Sequence, residues 1–130
     1  EEWIAQLGNR RTVAIVAEVM DDRGVSTVVG FAVYELLSRG VWLLQVAVHP
    51  DYQRKGVGTK MLDWVKGRLT PQKRRRLQAY VNEDNLPAQL FFRSQGLVCD
   101  KQRKFDDEVG YRFVFRAEWL VEEIASGNVR

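Results

Sequence analysis

The sequence has few of the residues that hold small secreted domains together, and it has no long apolar run. It contains one cysteine, Cys99, and one histidine, His49, so an internal disulfide is excluded and a Cys/His metal site is not expected. No stretch approaches the roughly 18 apolar residues that a membrane span needs, and no basic start followed by an apolar core marks a leader. These absences predict a protein of a reducing, cytoplasmic compartment with neither a metal nor a membrane partner.

Composition and charge predict a single globular domain over residues 1–130. Apolar residues make up 45% of the sequence and charged residues 28%, which excludes a disordered chain or a collagen-like repeat. The net charge is +3, from 20 basic and 17 acidic residues, and much of the excess lies in the run Lys-Arg-Arg-Arg at 73–76. This run can contact phosphates or form a solvated loop. A nucleic-acid module is not favoured, because no docking element accompanies the run.

Hydrophobic periodicity predicts a mixed α/β fold with the order βββαβαββ after an N-terminal helical remnant. Residues 2–7 are interpreted as the end of a helix that Gly8 and Asn9 terminate, and residues 117–130 as a C-terminal tail with a weak helix over 119–124. The second strand is apolar on both faces and should therefore be covered on both sides. The predicted strands are 12–20, 25–37, 41–48, 75–81, 97–105 and 111–116. The predicted helices are 58–69 and a second one that Asp84 or Asn85 caps and that continues through Gln95.

The stretch 46–59, VAVHPDYQRKGVGT, has the pattern of an anion-binding site. A buried strand leads into a loop and then into a helix N-terminus, where backbone N–H groups lack intrahelical partners and the helix dipole adds positive potential. Gly56 and Gly58 allow a phosphate to approach the backbone without a Cβ in the way, and Arg54 and Lys55 add positive charge. No Gly-Lys-Ser/Thr follows, so it is not a Walker A loop, and the third glycine of the dinucleotide fingerprint is absent.

This stretch resembles the pyrophosphate-binding motif Q/R-x-x-G-x-G/A of the GCN5-related N-acetyltransferase (GNAT) superfamily. It reads Gln53-x-x-Gly56-x-Gly58 and follows a V-x-V-x-P segment that ends at Pro50. A second match lies in VNEDNLPAQLFFRSQGL, where the residues that match the family are Asn85, Ala88 and Gly96. The resemblance covers residues 12–116 and is strongest to the RimI-like group, the ribosomal-protein alanine acetyltransferases. It implies a mostly antiparallel central sheet flanked by helices.

The resemblance implies that the chain binds acetyl-coenzyme A (acetyl-CoA) as a cosubstrate. The pyrophosphate is then expected on the backbone amides of residues 54–59, and the pantetheine arm along the main chain of residues 46–48. Val46 and Val48 are equally expected as core residues, and Asn85 is equally well explained as a helix cap. The full set of expected cosubstrate contacts is Val46, Ala47, Val48, Gln53, Arg54, Lys55, Gly56, Val57, Gly58, Thr59, Asn85, Ala88 and Phe92.

The catalytic residues of the family are only partly matched. Its usual acid is a tyrosine seven residues after the Asn, where this chain has Phe92, and the RimI-like base is a glutamate five residues before the Asn, where this chain has Tyr80. Tyr80 is therefore the candidate for proton transfer, and a strand aromatic that lines the cleft is the alternative. The resemblance also implies an oxyanion donor among the backbone N–H groups of 46–48. Other candidates are interpreted as surface, loop, packing or passive residues: Glu35, Glu83, Asp84, Tyr111, His49 and Cys99.

The expected reaction is transfer of the acetyl group to a primary amine by direct attack on the thioester. Because no base is evident, an amine of low pKa is favoured: at pH 7 about one α-amine in seven is neutral, against about one lysine ε-amine in 2,500. One alternative is a non-catalytic CoA-binding sensor or interaction domain on the same fold. Another is a nucleic-acid binder that uses residues 73–76.

The acceptor side of the fold is expected to be incomplete. The family has a strand and most of two helices before the strand at Thr12, whereas eleven residues precede it here, and the first is Glu1 rather than methionine. The acidic loop 106–108 either attracts a cationic acceptor or solubilises a hairpin tip. Trp119 is expected to dock on its own domain or on a partner, so a homodimer is among the expected assemblies.

Overall fold

The structure is a computed structural model that describes residues 2–8 and 11–120. Within these ranges, seven strands form one sheet in the order β1-β2-β3-β4-β5-β7-β6, and only β4 and β5 pair in parallel. A 3₁₀ turn covers Pro50–Tyr52. In chain order the elements are β1 Glu2–Gly8, β2 Thr12–Met20, β3 Ser26–Leu36, β4 Gly40–Val48, α1 Val57–Lys66, β5 Arg76–Asn82, α2 Leu86–Ser94, β6 Val98–Phe105 and β7 Glu108–Arg116.

The N-terminal segment is a strand and not the end of a helix, so this prediction was wrong. Residues 2–8 form β1, which pairs antiparallel with β2 from Glu2↔Val19 to Gly8↔Val13. A segment this short is marginal as a helix, whereas the outer edge of β2 offers a complete row of main-chain partners. The Gly-Asn pair that was interpreted as a helix stop is equally typical of a turn between strands.

The other predicted elements are confirmed, with ends that differ by a few residues. Residues 117–120 are helical, and the remainder of the predicted C-terminal helix lies outside the described residues. Tyr34, Met61 and Phe115 are among the fully buried side chains of the core, which lies between one face of the sheet and the two helices. Trp119 packs edge-on against Phe115 at 5.3 Å between ring centroids, so the last described residues lie on this same face.

The opposite face of the sheet carries no helix within the described ranges, and we call it the open face. Strand register places alternate residues of β3, β4, β5 and β7 on it, among them Phe31, Trp42, Gln78, Tyr80 and Arg112. The prediction that both faces of the second predicted strand are covered was therefore wrong for the part of the chain that is described. Apolar content alone did not distinguish a strand under two helical layers from one whose second face stays half-exposed.

Candidate functional site

A cleft opens where β4 and β5 separate. The two strands pair only from Gly40↔Arg76 to Leu43↔Ala79. A β-bulge leaves Leu44 without a partner on β3, and bulges bend and twist a strand. Beyond this point the strands diverge around a cavity of about 200 Å³. Its lining residues are Leu43, Leu44, Gln45, Val46, Ala79, Tyr80, Val81, Asn82, Asn85, Ala88 and Phe92.

The end of β4 presents one main-chain edge to this cleft. Val46 and Val48 pair with β3 through Ala32 and Gly30, while β5 offers them no partner on the other side. Both valine side chains pack against the core, as expected above for core residues. The backbone edge is thus left for an extended ligand to pair with, in the manner of an added strand.

The loop after β4 delivers the N-terminus of α1 to the mouth of the cleft. The first helical hydrogen bond is donated by the Lys60 amide to the Gly56 carbonyl at 3.0 Å. The amides of residues 57–59 precede that bond and have no intrahelical acceptor, so they form an anion-binding end. The loop itself is tied to β4, because Gln53 donates from Nε2 to the Val48 carbonyl at 3.0 Å. Gln53 therefore holds the loop in place through its side chain.

The two glycines of the motif are needed for different reasons. Gly56 caps α1 with φ 85°, a left-handed conformation that glycine adopts readily, and a Cβ built on it would meet nothing within 4 Å. Gly58 has no such conformation, but a Cβ there would lie 3.0 Å from the ring of Phe91. The absence of a side chain at 58 thus lets α2 pack close to α1. The sequence interpretation, which assigned both glycines to phosphate approach, missed this packing role.

Gln95, at the end of α2, connects that helix to α1. Its Nε2 donates to Thr59 Oγ1 at 2.9 Å, and its carbonyl accepts from Lys66 Nζ at 2.6 Å. The bond from Lys66 is buried and the bond to Thr59 is partly buried, so the first in particular is made away from water, where hydrogen bonds are stronger. Gln95 was not among the site residues predicted from the sequence. Its position before Gly96, at the end of a predicted helix, was the one indication of a role.

The start of α2 forms the second side of the cleft. Asn85 accepts the Ala88 amide at 3.2 Å through Oδ1, so its reading as a helix cap is confirmed. Ala88 and Phe92 line the cleft, and Phe92 is buried against Phe91 and Phe113 at ring distances of 5.6 and 6.0 Å. At this position the chain thus places an apolar wall in the cleft and no proton donor.

Tyr80 lies where the cleft meets the open face. Arg103 of the edge strand donates from Nη1 to Tyr80 Oη at 3.1 Å, and the Trp42 ring lies 6.0 Å from the tyrosine ring. On the neighbouring strand, Arg112 makes two 2.8 Å hydrogen bonds to Asp100. These bonds lower the pKa of Asp100 and raise the pKa of Arg112, so both groups stay charged. The sequence showed basic residues alternating with aromatic ones on the last strand, but nothing in it placed Arg103 beside Tyr80.

The remaining candidates lie outside this arrangement. His49 caps the 3₁₀ turn by accepting the Asp51 amide at 3.1 Å, Glu35 pairs with Arg11 at 3.3 Å, and Cys99 is exposed on the edge strand β6. In the ranges 2–8 and 11–120, no group of three or more His, Cys, Asp or Glu side chains is placed to hold a metal ion. In the same ranges, no helix is long and apolar enough to cross a membrane.

Comparison with known proteins connects this geometry to one family. Residues 1–97 match the family model described as the acetyltransferase (GNAT) family. No curated protein matches the chain. Among solved structures, the ribosomal-protein-S18-alanine N-acetyltransferase of Escherichia coli is similar, with a TM-score of 0.71, 17% identity, and coverage of 90% of this chain and 94% of that one.

Two further solved structures have the same fold. Ard1 from Thermoplasma volcanium has a TM-score of 0.64 and 23% identity, with 79% of this chain and 69% of that chain covered. A Bacillus anthracis protein named as a streptothricin acetyltransferase was solved in complex with acetyl coenzyme A. It has a TM-score of 0.69 and 15% identity, with 85% of this chain and 65% of that chain covered.

Proposed function

The chain belongs to the GNAT family of acetyltransferases, and we propose that it transfers the acetyl group of acetyl-CoA to a primary amine, with an α-amine as the favoured acceptor. The observation that carries this proposal is the cleft between β4 and β5, with the N-terminus of α1 at its mouth. The cosubstrate supplies an activated acetyl thioester. The chain supplies the place where that thioester and an amine meet.

The residues around the cleft fit this cosubstrate. The amides of residues 57–59 and the charges of Arg54 and Lys55 would hold the pyrophosphate, and the left-handed conformation of Gly56 shapes the loop that presents them. The free main-chain edge of residues 46–48 would pair with the pantetheine arm. Phe92 and Ala88 would cover the arm from the side of the helices.

Tyr80 is the residue proposed to move a proton. Its hydroxyl accepts a hydrogen bond from Arg103, which leaves its own proton to be donated into the cleft. A thiol has a pKa of about 8.5, so the thiolate can leave with modest assistance. Deprotonation of the acceptor amine is assisted less, since no carboxylate that could act as a base lines the cleft in the described part of the chain. An amine that is already partly neutral at pH 7 is therefore the better substrate.

The experiment that tests the proposal measures release of free thiol from acetyl-CoA in the presence of peptides with a free N-terminal alanine. Release that saturates with peptide, and that is lost when the N-terminus is blocked, is the expected result. A second candidate function, a CoA-binding domain without catalysis, is favoured by Phe92 at the family's acid position. It predicts binding of acetyl-CoA with no release that depends on an amine.

A matched pair of variants tests the cosubstrate site. Acetyl-CoA at 100 times its Kd should add about 2.7 kcal/mol to the free energy of unfolding, which raises Tm by about 10 °C. Gly56→Glu should abolish this rise, because a carboxylate would face the pyrophosphate. Gly24 in the β2–β3 turn has a similar φ of 79° and the same open surroundings, so Gly24→Glu controls for backbone strain and should keep the full rise. A folded wild-type protein with no rise in Tm would contradict the cosubstrate assignment.

A further inference from the structure

A second cavity, of about 540 Å³, lies at the end of the sheet where β4 and β5 begin. It collects three arginines that are distant in the sequence, and we call it the arginine pocket. Arg11 precedes β2, Arg39 lies in the β3–β4 turn, and Arg76 begins β5. Ser38, Gly40 and Gln78 also line it.

The strand pairing explains why these cations converge. A Cβ on Gly40 would lie 2.7 Å from the Arg76 carbonyl, so the backbones of β4 and β5 approach closely at this end. The chain reverses here from β3 into β4, which brings Arg39 beside Arg76. Arg11 forms an ion pair with Glu35 at 3.3 Å. Within the described part of the chain, no carboxylate lies within 4 Å of the guanidinium groups of Arg39 and Arg76.

The arginine pocket and the cleft are connected along one strand of the open face. Arg76, Gln78 and Tyr80 alternate along β5, so their side chains project from the same side of the sheet. Tyr80 is the fourth residue after Arg76, which corresponds to about 13 Å along an extended strand. Trp42 and Phe31 on the neighbouring strands supply half-buried aromatic surface on this face.

Gln78 lies midway between Arg76 and Tyr80 on β5, and its side-chain oxygen lacks a hydrogen-bond donor. Its Oε1 is buried and accepts no hydrogen bond within the described residues. Buried polar oxygens nearly always have a partner in folded proteins. Gln78 also lines the arginine pocket, so a rotation of its side-chain amide would let a ligand N–H supply the missing donor, which favours a peptide over a ligand without N–H groups.

From these observations we infer that the acceptor is a peptide that lies along β5 on the open face and carries an acidic side chain at its fourth or fifth residue, which the arginine pocket binds. The inference rests on the proposed function and deepens it by naming the acceptor class. With the N-terminal amine at the cleft beside Tyr80, the fifth Cα of an extended peptide lies about 13 Å away, level with Arg76. The guanidinium groups then pair with the carboxylate through charge-assisted hydrogen bonds.

A peptide scan tests the position directly. Ten-residue peptides with N-terminal alanine carry one glutamate, moved from position 2 to position 8 in a background of glycine, serine and glutamine. We expect kcat/KM, measured by thiol release, to peak at position 4 or 5, about 10-fold above the peptide without glutamate. The gain should appear in KM with kcat unchanged, because the contact is remote from the reacting atoms.

Variants of the arginine pocket test whether it causes the preference for glutamate. Arg39→Gln and Arg76→Gln should each reduce the preference for glutamate, and the double variant should remove it. Arg23→Gln, in the exposed β2–β3 turn, removes the same charge elsewhere and should leave the preference intact. The double charge reversal Arg39→Glu/Arg76→Glu should favour lysine over glutamate at the same peptide position. The rise in Tm with acetyl-CoA, which should match that of the wild type, shows that each variant is folded.

Failure of this inference can be distinguished from failure of the proposed function. Peptide acetylation that does not depend on the position of the glutamate, or a preference that survives in the double Gln variant, would overturn the inference and leave the acetyltransferase assignment standing. Absence of any amine-dependent thiol release would overturn both. If a variant does not fold, the scan on the wild type decides alone, because a flat profile rejects the pocket as the acidic subsite.

Discussion

At the scale of single residues, the two glycines of the Q-x-x-G-x-G motif are subject to two different constraints. Gly56 is needed for its backbone conformation, and Gly58 is needed because the Phe91 ring occupies the space of its Cβ. A motif that is expected to bind phosphate and a helix-packing contact therefore share the same six residues. A substitution at each glycine is expected to fail for its own reason.

The packing role of Gly58 predicts a measurable coupling with Phe91. In the wild-type background, Gly58→Ala places a methyl group 3.0 Å from the ring, and overpacking of this kind costs about 1–3 kcal/mol. In a Phe91→Leu background the ring is gone, so the same change should stabilise α1 by up to about 1 kcal/mol through helix propensity. Urea unfolding of the four proteins should give a coupling energy of about 1–4 kcal/mol, the difference between the effects of Gly58→Ala in the two backgrounds. Additive effects would show that Phe91 does not limit position 58.

Tyr80 is the residue whose hydroxyl we expect to matter for the rate. Tyr80→Phe removes the proton donor and keeps the ring that packs near Trp42, so kcat should fall roughly 10²-fold. The KM values and the free energy of unfolding should change little. Tyr111→Phe is the matched control, because Tyr111 packs against the core on the other face of the sheet. An unchanged kcat in Tyr80→Phe would mean that Tyr80 only lines the cleft.

At the scale of elements, irregularities in the strands place the functional groups. The bulge at Leu44 ends the pairing of β4 with β5 and so creates the cleft. A second bulge leaves Asp100 of β6 unpaired, and its side chain meets Arg112 of β7. That ion pair lies beside Tyr80 and helps to hold the edge of the open face. An ideal ladder would have continued pairing β4 to β5 and closed the cleft.

The Asp100–Arg112 pair predicts a pH-dependent contribution to stability. The hydrogen bonds from Arg112 lower the pKa of Asp100 in the folded protein, so the pair stabilises the fold fully above the unfolded pKa of aspartate, about 3.9. This contribution is lost as the pH falls through the lower folded value. Asp100→Asn should therefore cost about 1 kcal/mol at pH 7 and progressively less below about pH 4. Urea unfolding across this range measures the difference.

Asp22→Asn controls for the pH series, because Asp22 is exposed in the β2–β3 turn. Its free energy of unfolding should follow that of the wild type at every pH. A cost for Asp100→Asn that stays constant down to pH 3 would contradict a role for the carboxylate charge.

At the scale of the whole molecule, the two faces of the sheet have different roles. The core face holds both helices and, through the N-terminus of α1, the expected pyrophosphate site. The open face carries Trp42 and the row of Arg76, Gln78 and Tyr80, whose Arg76 end lies in the arginine pocket. The acidic loop 106–108 lies at the β6–β7 hairpin tip, at the other end of the sheet from the arginine pocket. The arginine pocket is thus the surface on which we propose that an acidic acceptor segment binds, and the loop alone did not suggest it.

Much of the fold could be predicted from the sequence because hydrophobic patterns, helix caps and turns depend on residues that are close together in the chain. Alternating and 3.6-residue patterns predicted six strands and both helices, since each pattern reflects which side of its own element is buried. The cap at Asn85 and the loop before α1 were readable for the same reason, because a cap or a turn depends on neighbouring residues. The segment 2–8 was misread because its identity as a strand depends on the free edge of β2 and not on its own pattern.

The sequence by itself determined the order of the elements from β2 to β7, the glycine-containing loop before α1 and the phenylalanine at position 92, since each is a property of a few adjacent residues. Only the tertiary structure decided that β4 and β5 part at Leu44, that Arg103 reaches Tyr80, and that arginines from three segments share one pocket. These features depend on strand register, and a shift of one residue would move every side chain to the other face. Register is set by the packing of the whole sheet, so it could not be predicted from any single stretch of the chain.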